Sequence, residues 1–222
     1  MAAPRDDDTG STRPPSGVTG EGGRTRLSAV ERRSQLVRIG RSVFAEKGYD
    51  ATSVEEIAER AGISKPVVYE HFGGKEGLYA VIVDREMEFV IEQISAAIST
   101  GTPRDRLEGA ALAFMRYVED RPDGFRFLSR DSPTKSGLAN LLAEVAQRVG
   151  DVMTSELRRT GYDADLAPLY AQALIGMVTF VGQWWMDARA VDAEEAAAQT
   201  AAIAWMGLRH LPERSQVWHP EP

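Results

Sequence analysis

The side chains best suited to a specific chemistry lie between positions 53 and 75 and are of the types that bind nucleic acid. Lys65 and Lys75 supply positive charge, and Tyr69 and His71 supply hydrogen-bond donors, within one short stretch. Such groups bind phosphate oxygens, which position a protein on DNA, whereas contacts to base edges select the sequence. A catalytic role for His71 is not favoured, because the chain's other two histidines are remote in sequence and no nucleophile pattern accompanies them.

Two short helices are predicted to position these side chains. Ser53 and Glu56 have the spacing of a capping box at the start of the first helix, and Gly62 follows its last apolar residue, where a left-handed C-cap favours glycine. Ser64 is the expected N-cap of the second helix, and Pro66 lies in its first turn, where no N–H is required. Two helices joined by a short turn that contains glycine are typical of a helix-turn-helix, whose second helix enters the major groove.

A wider set of residues in this stretch forms a pattern with fixed spacings, namely Ile57-Ala58, Ala61-Gly62-Ile63-Ser64, Tyr69, His71-Phe72, Lys75 and Leu78. Together they resemble the DNA-binding signature of the TetR family of transcriptional regulators. The resemblance extends over about residues 28–80. It departs from the commonest family pattern at Pro66, where many members have glycine.

The resemblance implies roles for individual residues of the second helix. Residues near its start would face base edges, while Tyr69, His71 and Lys75 would lie near phosphates. The residues expected to contact DNA are therefore Ser53, Ser64, Lys65, Pro66, Val67, Tyr69, His71 and Lys75.

Arg24 and Arg26 form a further candidate DNA contact just before the first predicted helix. Arginines on a flexible arm reach into the minor groove in several classes of DNA-binding protein. A solvated tail with scattered charge is the alternative.

The composition is compatible with DNA binding although the net charge is −7. Residues 28–75 carry eight basic and seven acidic side chains, whereas residues 76–222 carry 14 and 22. The excess acid thus lies away from the predicted helix-turn-helix, and nucleic-acid affinity depends on where basic groups lie relative to phosphates. The chain has no cysteine, which excludes disulfides and thiolate metal sites and suits a reducing cytoplasm. We expect no metal and no cofactor.

An all-α chain of four segments is predicted. Residues 1–27 are expected to be a disordered tail and not a signal peptide, because they lack an apolar run. Residues 28–75 are expected to form a three-helix helix-turn-helix domain, residues 76–212 a larger helical ligand-binding and dimerisation domain, and residues 213–222 a C-terminal tail. Helices are predicted over residues 28–47, 75–98, 104–119, 138–159, 164–188 and 193–211, with a break at 120–124, an aromatic segment at 125–128 and a polar loop at 129–137.

The uncharged stretch 166–186 is as long as a membrane span. It contains Pro168, Gln172 and Gln183, and neither a second span nor a basic flank accompanies it. A helix that is apolar on all sides is more simply a buried one, so we expect no membrane contact and a cytoplasmic protein.

Aromatic and methionine side chains are frequent in the C-terminal part, where most are expected to form core. The family resemblance implies that some line a pocket for a small hydrophobic molecule. A resemblance of residues 182–190 and 204–208 to relatives linked to lipid metabolism implies an acyl compound. Adjacent helix positions point about 100° apart, and Trp184 is predicted to face inward, with Trp185 turned away. The candidate pocket residues are Phe114, Met115, Tyr117, Phe127, Met177, Phe180 and Trp184.

The last predicted helix carries small or apolar residues on one face, namely Ala197, Ala201, Ala204, Leu208 and Leu211. With the uncharged helix, this face is expected to build a four-helix interface between two subunits. A helix pair buried within one chain is the alternative.

The expected function is that of a homodimeric regulator, and not an enzyme, that binds a palindromic double-stranded operator. We expect a repressor that a small hydrophobic ligand releases from DNA. The alternatives are an all-α enzyme or lipid carrier with a coincidental helix-turn-helix, and a DNA-binding protein controlled by a partner protein or a modification.

Overall fold

The computed structural model describes residues 27–129 and 137–211, and within these two ranges the regular elements are helices, which confirms the all-α prediction. Arg24, Arg26, nearly all of both predicted tails and most of the predicted polar loop lie outside them. The helices are α1 (Ala29–Ala51), α2 (Val54–Ala61), α3 (Lys65–Phe72), α4 (Lys75–Ser99), α5 (Pro103–Asp120), α6 (Pro122–Ser129), α7 (Gly137–Thr160), α8 (Ala167–Ala188, preceded by a 3₁₀ turn at Ala164–Leu166) and α9 (Ala193–Leu208).

The helix-turn-helix forms because local signals fix both ends of α2 and the start of α3. Ser53 Oγ accepts the backbone N–H of Glu56 at 3.2 Å. Gly62 adopts a left-handed conformation, with φ 66°, and its N–H bonds to the last carbonyls of α2. The predicted capping box is only half formed, because the Glu56 carboxylate pairs instead with Lys47 and Arg60.

The first four helices enclose one apolar core. Leu36 and Phe44 of α1, Ile57 of α2, Val68 of α3 and Leu78 of α4 are each at most 1% exposed. Since α2 and α3 bury only one face of each short helix, this core holds them at a fixed angle and leaves the outer face of α3 in solvent.

The predicted break at 120–124 is present but is limited to Arg121, because a second helix begins at Pro122. Arg121 ends α5, and Pro122 opens α6 at a position whose N–H would have no intrahelical partner. Phe125 and Phe127 of α6 are buried, and α6 packs mainly on α1. The segment expected to be a break followed by an aromatic stretch is therefore the part of the C-terminal helices that contacts α1.

The small face of α9 is buried inside the chain and does not form an outer surface. Ala197, Ala201 and Ala204 are 2%, 1% and 8% exposed, and α9 packs most extensively on α5. The expected subunit interface on that face is therefore wrong, and the intrachain alternative applies to it. The small side chains let α5 and α9 approach closely.

The uncharged helix α8 is only partly buried, contrary to expectation. Its outer side presents Leu169, Phe180 and Trp184, which are 62%, 75% and 56% exposed. Among the described residues, the stretch Ala164–Ala188 is the one helical segment whose length and composition would suffice to cross a membrane.

Gly77 is predicted to be essential for the turn between α3 and α4. A Cβ at this position would lie 1.8 Å from the carbonyl oxygen of Phe72, a backbone atom that has no free rotation. We expect Gly77→Ala to lower the free energy of unfolding by about 3 kcal/mol, measured by urea denaturation. Gly150→Ala is the control. Gly150 lies inside α7, and a Cβ added there would meet only Ala171 of α8, at 3.9 Å. This substitution should raise the free energy of unfolding by about 0.5 to 1 kcal/mol. Equal stabilities of the two variants would contradict this account of the turn.

Candidate functional site

The outer face of α3 carries the residues expected to contact DNA. Lys65, Pro66 and Tyr69 are exposed, whereas Val68 is fully buried and anchors the helix. Ser64 caps α3 through its backbone only, so its hydroxyl forms no cap hydrogen bond. Val67 and His71 are partly exposed, so six of the eight described residues of the predicted set lie on α3 or at its N-cap, whereas Ser53 caps α2 and Lys75 begins α4.

Lys65 is paired within the free protein. Its ammonium forms an ion pair with Glu55 of α2 and lies 5.7 Å from the centre of the Tyr69 ring. The hydrogen bond to Glu55 raises the pKa of Lys65, and the same bond lowers the pKa of Glu55. Both side chains are exposed, so this pair is weak and DNA would compete for Lys65.

Lys75 makes contacts within the free protein that sequence reasoning did not predict. Its Nζ donates to the carbonyl oxygens of Tyr49 at 2.8 Å and Thr52 at 2.9 Å, and it lies 4.3 Å from the centre of the Tyr49 ring. These carbonyls belong to the last turn and the C-cap of α1. In the free protein, the charge of Lys75 therefore ties the start of α4 to the end of α1, and its contact with a phosphate stays a prediction.

Arg33 of α1 positions the end of α3. Its guanidinium donates to the carbonyl oxygen of His71 at 2.5 Å and lies 4.5 Å from the centre of the Phe72 ring. Sequence reasoning missed this contact because the partners are 38 residues apart. The arginine fixes the backbone of α3 and leaves the His71 ring on the outer side.

A cavity of about 490 Å³ lies among α4, α5, α7, α8 and α9. Its wall is apolar over most of its extent, with Phe114 of α5, Val145 of α7, Ile175 of α8 and Trp205 of α9 among the lining residues. This volume is within the range of small-molecule sites.

The structure divides the seven candidate pocket residues into three groups. Phe114 and Met177 line the cavity. Met115, Tyr117 and Phe127 are buried in the core away from it, so their expected place in the pocket is wrong.

Phe180 and Trp184 are exposed, and the prediction that Trp184 faces inward is also wrong. Trp185 is the inward residue, 1% exposed, with its Nε1 donating to the carbonyl of Val191 at 2.8 Å. The buried side of α8 runs through Ala171, Ile175 and Gly182, and Trp185 continues that side.

The buried carboxylate of Glu86 joins α1 to the end of α5. Its side chain is 3% exposed, and it accepts from Arg41 of α1 at 2.5 Å and lies 3.5 Å from Arg121. The Tyr117 hydroxyl donates to its other oxygen at 3.4 Å. Burial, together with the Glu86 charge, raises the pKa of Tyr117, so the hydroxyl keeps its proton.

Gly124 of α6 packs directly on this carboxylate, because a Cβ there would lie 2.3 Å from the Glu86 oxygen. Sequence reasoning missed Glu86, although a signal is present. Glu86 takes the place of an apolar residue in a buried stripe of α4, where Ile82, Glu86, Val90 and Ile94 follow one another at intervals of four. A carboxylate at such a position requires a buried partner.

Aromatic contacts connect the cavity to this ion pair. Phe114, in the cavity wall, meets Phe125 of α6 edge to face, with ring centres 5.7 Å apart. Phe125 meets Tyr117 edge to face at 6.4 Å, and Tyr117 reaches Glu86. A displacement of Phe114 therefore has a continuous packed route to α1.

Comparison with known proteins gives consistent matches over both parts of the chain. A sequence profile of "Bacterial regulatory proteins, tetR family" matches residues 36–82, and one of a "Tetracyclin repressor-like, C-terminal domain" matches residues 103–207. The HTH-type transcriptional activator FasR of Mycolicibacterium smegmatis is 32% identical over 191 residues, which are 84% of this chain and 87% of FasR.

Two further relatives extend the comparison. The HTH-type transcriptional repressor KstR2 of the same species is 25% identical over 193 residues, covering 83% of this chain and 94% of KstR2. The crystal structure of a TetR-like transcriptional regulator from Rhodococcus sp. RHA1 has a TM-score of 0.70 and 25% identity, over 84% of this chain and 100% of that one.

A helix-turn-helix joined to a helical bundle defines the class of DNA-binding transcriptional regulators. Within that class, the chain belongs to the TetR family of bacterial regulators. Members of this family bind DNA and small-molecule ligands and are not enzymes.

Lys65, the first residue of α3, and Lys75, the first residue of α4, are predicted to differ in their effects. Lys75→Ala should lower the free energy of unfolding by about 2 kcal/mol, because a charged donor to two partly buried carbonyls is lost. Lys65→Ala should leave the thermal midpoint unchanged and alter which operator sequences are preferred, measured by selection from random double-stranded DNA. A stable Lys75→Ala protein whose only defect is a smaller salt dependence of DNA binding would instead support the phosphate role.

Proposed function

We propose that this TetR-family regulator is a cytoplasmic, homodimeric repressor that a small hydrophobic ligand releases from a palindromic operator. The observation that carries the proposal is the apolar cavity whose wall residue Phe114 packs against α6, because α6 in turn packs on α1. We further propose that residues 28–75 are the DNA-binding domain and residues 76–212 the regulatory and dimerisation domain.

The DNA contact is assigned to the exposed face of α3. Lys65, Pro66 and Val67 near its start would face base edges, while Tyr69 and His71 would bind phosphates. Ser53 and Ser64 stand at the N-termini of α2 and α3, where backbone N–H groups favour a phosphate. Arg24 and Arg26, outside the described residues, remain candidate minor-groove contacts.

Release is a change between two states. A dimer binds when its two recognition helices are separated by about one helical turn of DNA, 34–36 Å. A ligand in the cavity displaces Phe114, and the shift passes through Phe125 and the Glu86 ion pairs to α1. The ligand favours the released geometry only by the difference between its affinities for the two states.

The outer side of α8 and α9 is the proposed subunit interface. Ile203 and Met206 of α9 are 68% and 57% exposed, and with Leu169, Phe180 and Trp184 of α8 they place five large apolar side chains in solvent. Contiguous apolar surface of this kind marks an association site. A two-fold axis would pair the same helices of two chains, which also accounts for the uncharged outer side of α8.

Phe180→Glu is predicted to produce a folded monomer, because a carboxylate would be buried unpaired at the interface. Analytical ultracentrifugation measures the mass, and circular dichroism confirms that the helices remain. Val30→Glu is the matched control, since Val30 is 76% exposed and lies on α1. A monomeric wild-type protein, or a dimeric Phe180→Glu variant, would contradict the interface.

The function is tested with an operator obtained by selection from random double-stranded DNA. We expect an inverted repeat, and we expect medium- and long-chain acyl compounds to lower the affinity for it, measured by fluorescence anisotropy. An acyl compound that raises the affinity would indicate a ligand-recruited regulator, and a transcription assay would then separate repression from activation. If no hydrophobic small molecule alters DNA binding or thermal stability, control by a partner protein replaces the ligand mechanism.

A further inference from the structure

The cavity is not apolar throughout, because charged side chains occupy one end of it. Its lining includes three arginines and one glutamate, namely Arg106, Arg159, Arg209 and Glu156. Positive charge is therefore in excess. The apolar residues Phe114, Val145 and Ile175 line the same cavity farther along α5, α7 and α8.

The single glutamate at this end already has a partner. Both Glu156 oxygens accept from Arg159, one of them from Nε at 3.3 Å. Hydrogen bonding to Arg159 is the main reason that the pKa of Glu156 lies below its usual range, and the charge of Arg106 lowers this pKa further. Glu156 thus balances Arg159, and it forms no hydrogen bond or ion pair with Arg106.

Arg106 is left without a counterpart among the residues that the structure describes. Its Nε is buried and has no hydrogen-bond partner there, and its guanidinium takes part in none of the ion pairs within residues 27–129 and 137–211. A buried donor without an acceptor is costly, and a charged one more so. An anion supplied from outside the chain would remove that cost.

A polar cleft adjoins the cavity at the same place. The cleft and the cavity share Arg106, Glu156 and Arg159, and the cleft also has serine hydroxyls at Ser95 and Ser155. Arg106 therefore stands where an apolar space meets a polar one. This arrangement suits a molecule with two chemically different ends.

We propose that the charged end of the cavity binds the anionic headgroup of an amphipathic effector, a carboxylate or phosphate on an alkyl or acyl chain, with Arg106 as its principal donor. The chain extends along α5 toward Phe114, eight residues and about 12 Å farther along the helix axis. The inference rests on the proposed function, since it names the chemical class of the effector. It also explains how the tail of the ligand reaches the aromatic contact with α6.

The test compares three probes of equal chain length that differ in the headgroup, at concentrations below those at which they form micelles. Dodecanoate and dodecyl phosphate are the anionic probes, and 1-dodecanol is the neutral one. Isothermal titration calorimetry measures binding to the wild-type protein, Arg106→Gln, Arg106→Lys and Arg104→Gln. Arg104 is the matched control, because it lies on the same helix, outside the cavity, and pairs with Glu108 at 2.6 Å.

The wild-type protein should bind at least one anionic probe about tenfold more tightly than dodecanol. Arg106→Gln should lose that preference while still binding dodecanol, which also shows that the variant is folded. Arg106→Lys should keep part of the preference, and Arg104→Gln all of it. Tighter binding of dodecanoate supports a free fatty acid, and tighter binding of dodecyl phosphate supports a phosphate-bearing effector.

Two results would overturn the inference, and they have different consequences. If dodecanol binds as tightly as the anions and Arg106→Gln changes nothing, the headgroup assignment fails while the apolar effector cavity stands. If none of the three probes binds, the headgroup assignment and the acyl-effector cavity of the proposed function fail together.

Discussion

The arrangement of the helices depends on the carboxylate of Glu86, buried where the N-terminal helices meet the C-terminal ones. A buried charge is tolerated only when partners compensate it, and here the partners come from separate parts of the chain. Arg41 extends from α1, while Arg121 and Tyr117 come from the end of α5. The position of α1 relative to α5 is therefore fixed by a group that cannot lose either partner without a large free-energy cost.

Helix α5 connects the cavity to the Glu86 carboxylate. Arg106 lies at the charged end of the cavity, Phe114 in its apolar wall, and Tyr117 and Arg121 at the Glu86 carboxylate. These positions lie along α5 and its C-cap Arg121, over about 22 Å. In the proposed mechanism, a ligand that moves α5 strains its contacts with Glu86 and thereby acts on Arg41 and α1.

The parts of the fold that were predicted from sequence are those set by local signals. Caps, a left-handed glycine and an early proline define α2 and α3 within a few residues, and the family signature lies on the same residues. The contacts that sequence reasoning missed depend on distant partners. The small face of α9 meets α5 of its own chain, and Lys75 in the free protein binds carbonyls 23 to 26 residues away.

Two further errors have similarly physical causes. Trp184 and Trp185 are adjacent, and Trp185 is the inward one because it continues the buried side of α8, which carries small residues such as Ala171 and Gly182 and was therefore not recognised as the core side. The whole stretch 120–124 was interpreted as a break, although its proline is equally suited to open a helix, and α6 begins at Pro122. The Glu86 ion pair could have been predicted from sequence, because a carboxylate in the apolar stripe of α4 indicates a buried partner.

The central claim, that ligand and DNA are coupled through Glu86, is tested most directly by the distance between the two recognition helices of the dimer. The chain has no cysteine, so Glu70→Cys on the exposed side of α3 places one spin label on each subunit. Pulsed electron–electron double resonance then measures the interspin distance with and without dodecanoate, in the Glu70→Cys protein and in the same protein with Glu86→Gln added. We predict that dodecanoate shifts the distance in the parent protein and leaves it unchanged in Glu86→Gln, although calorimetry shows that both proteins bind dodecanoate. An equal shift in both proteins would contradict the account.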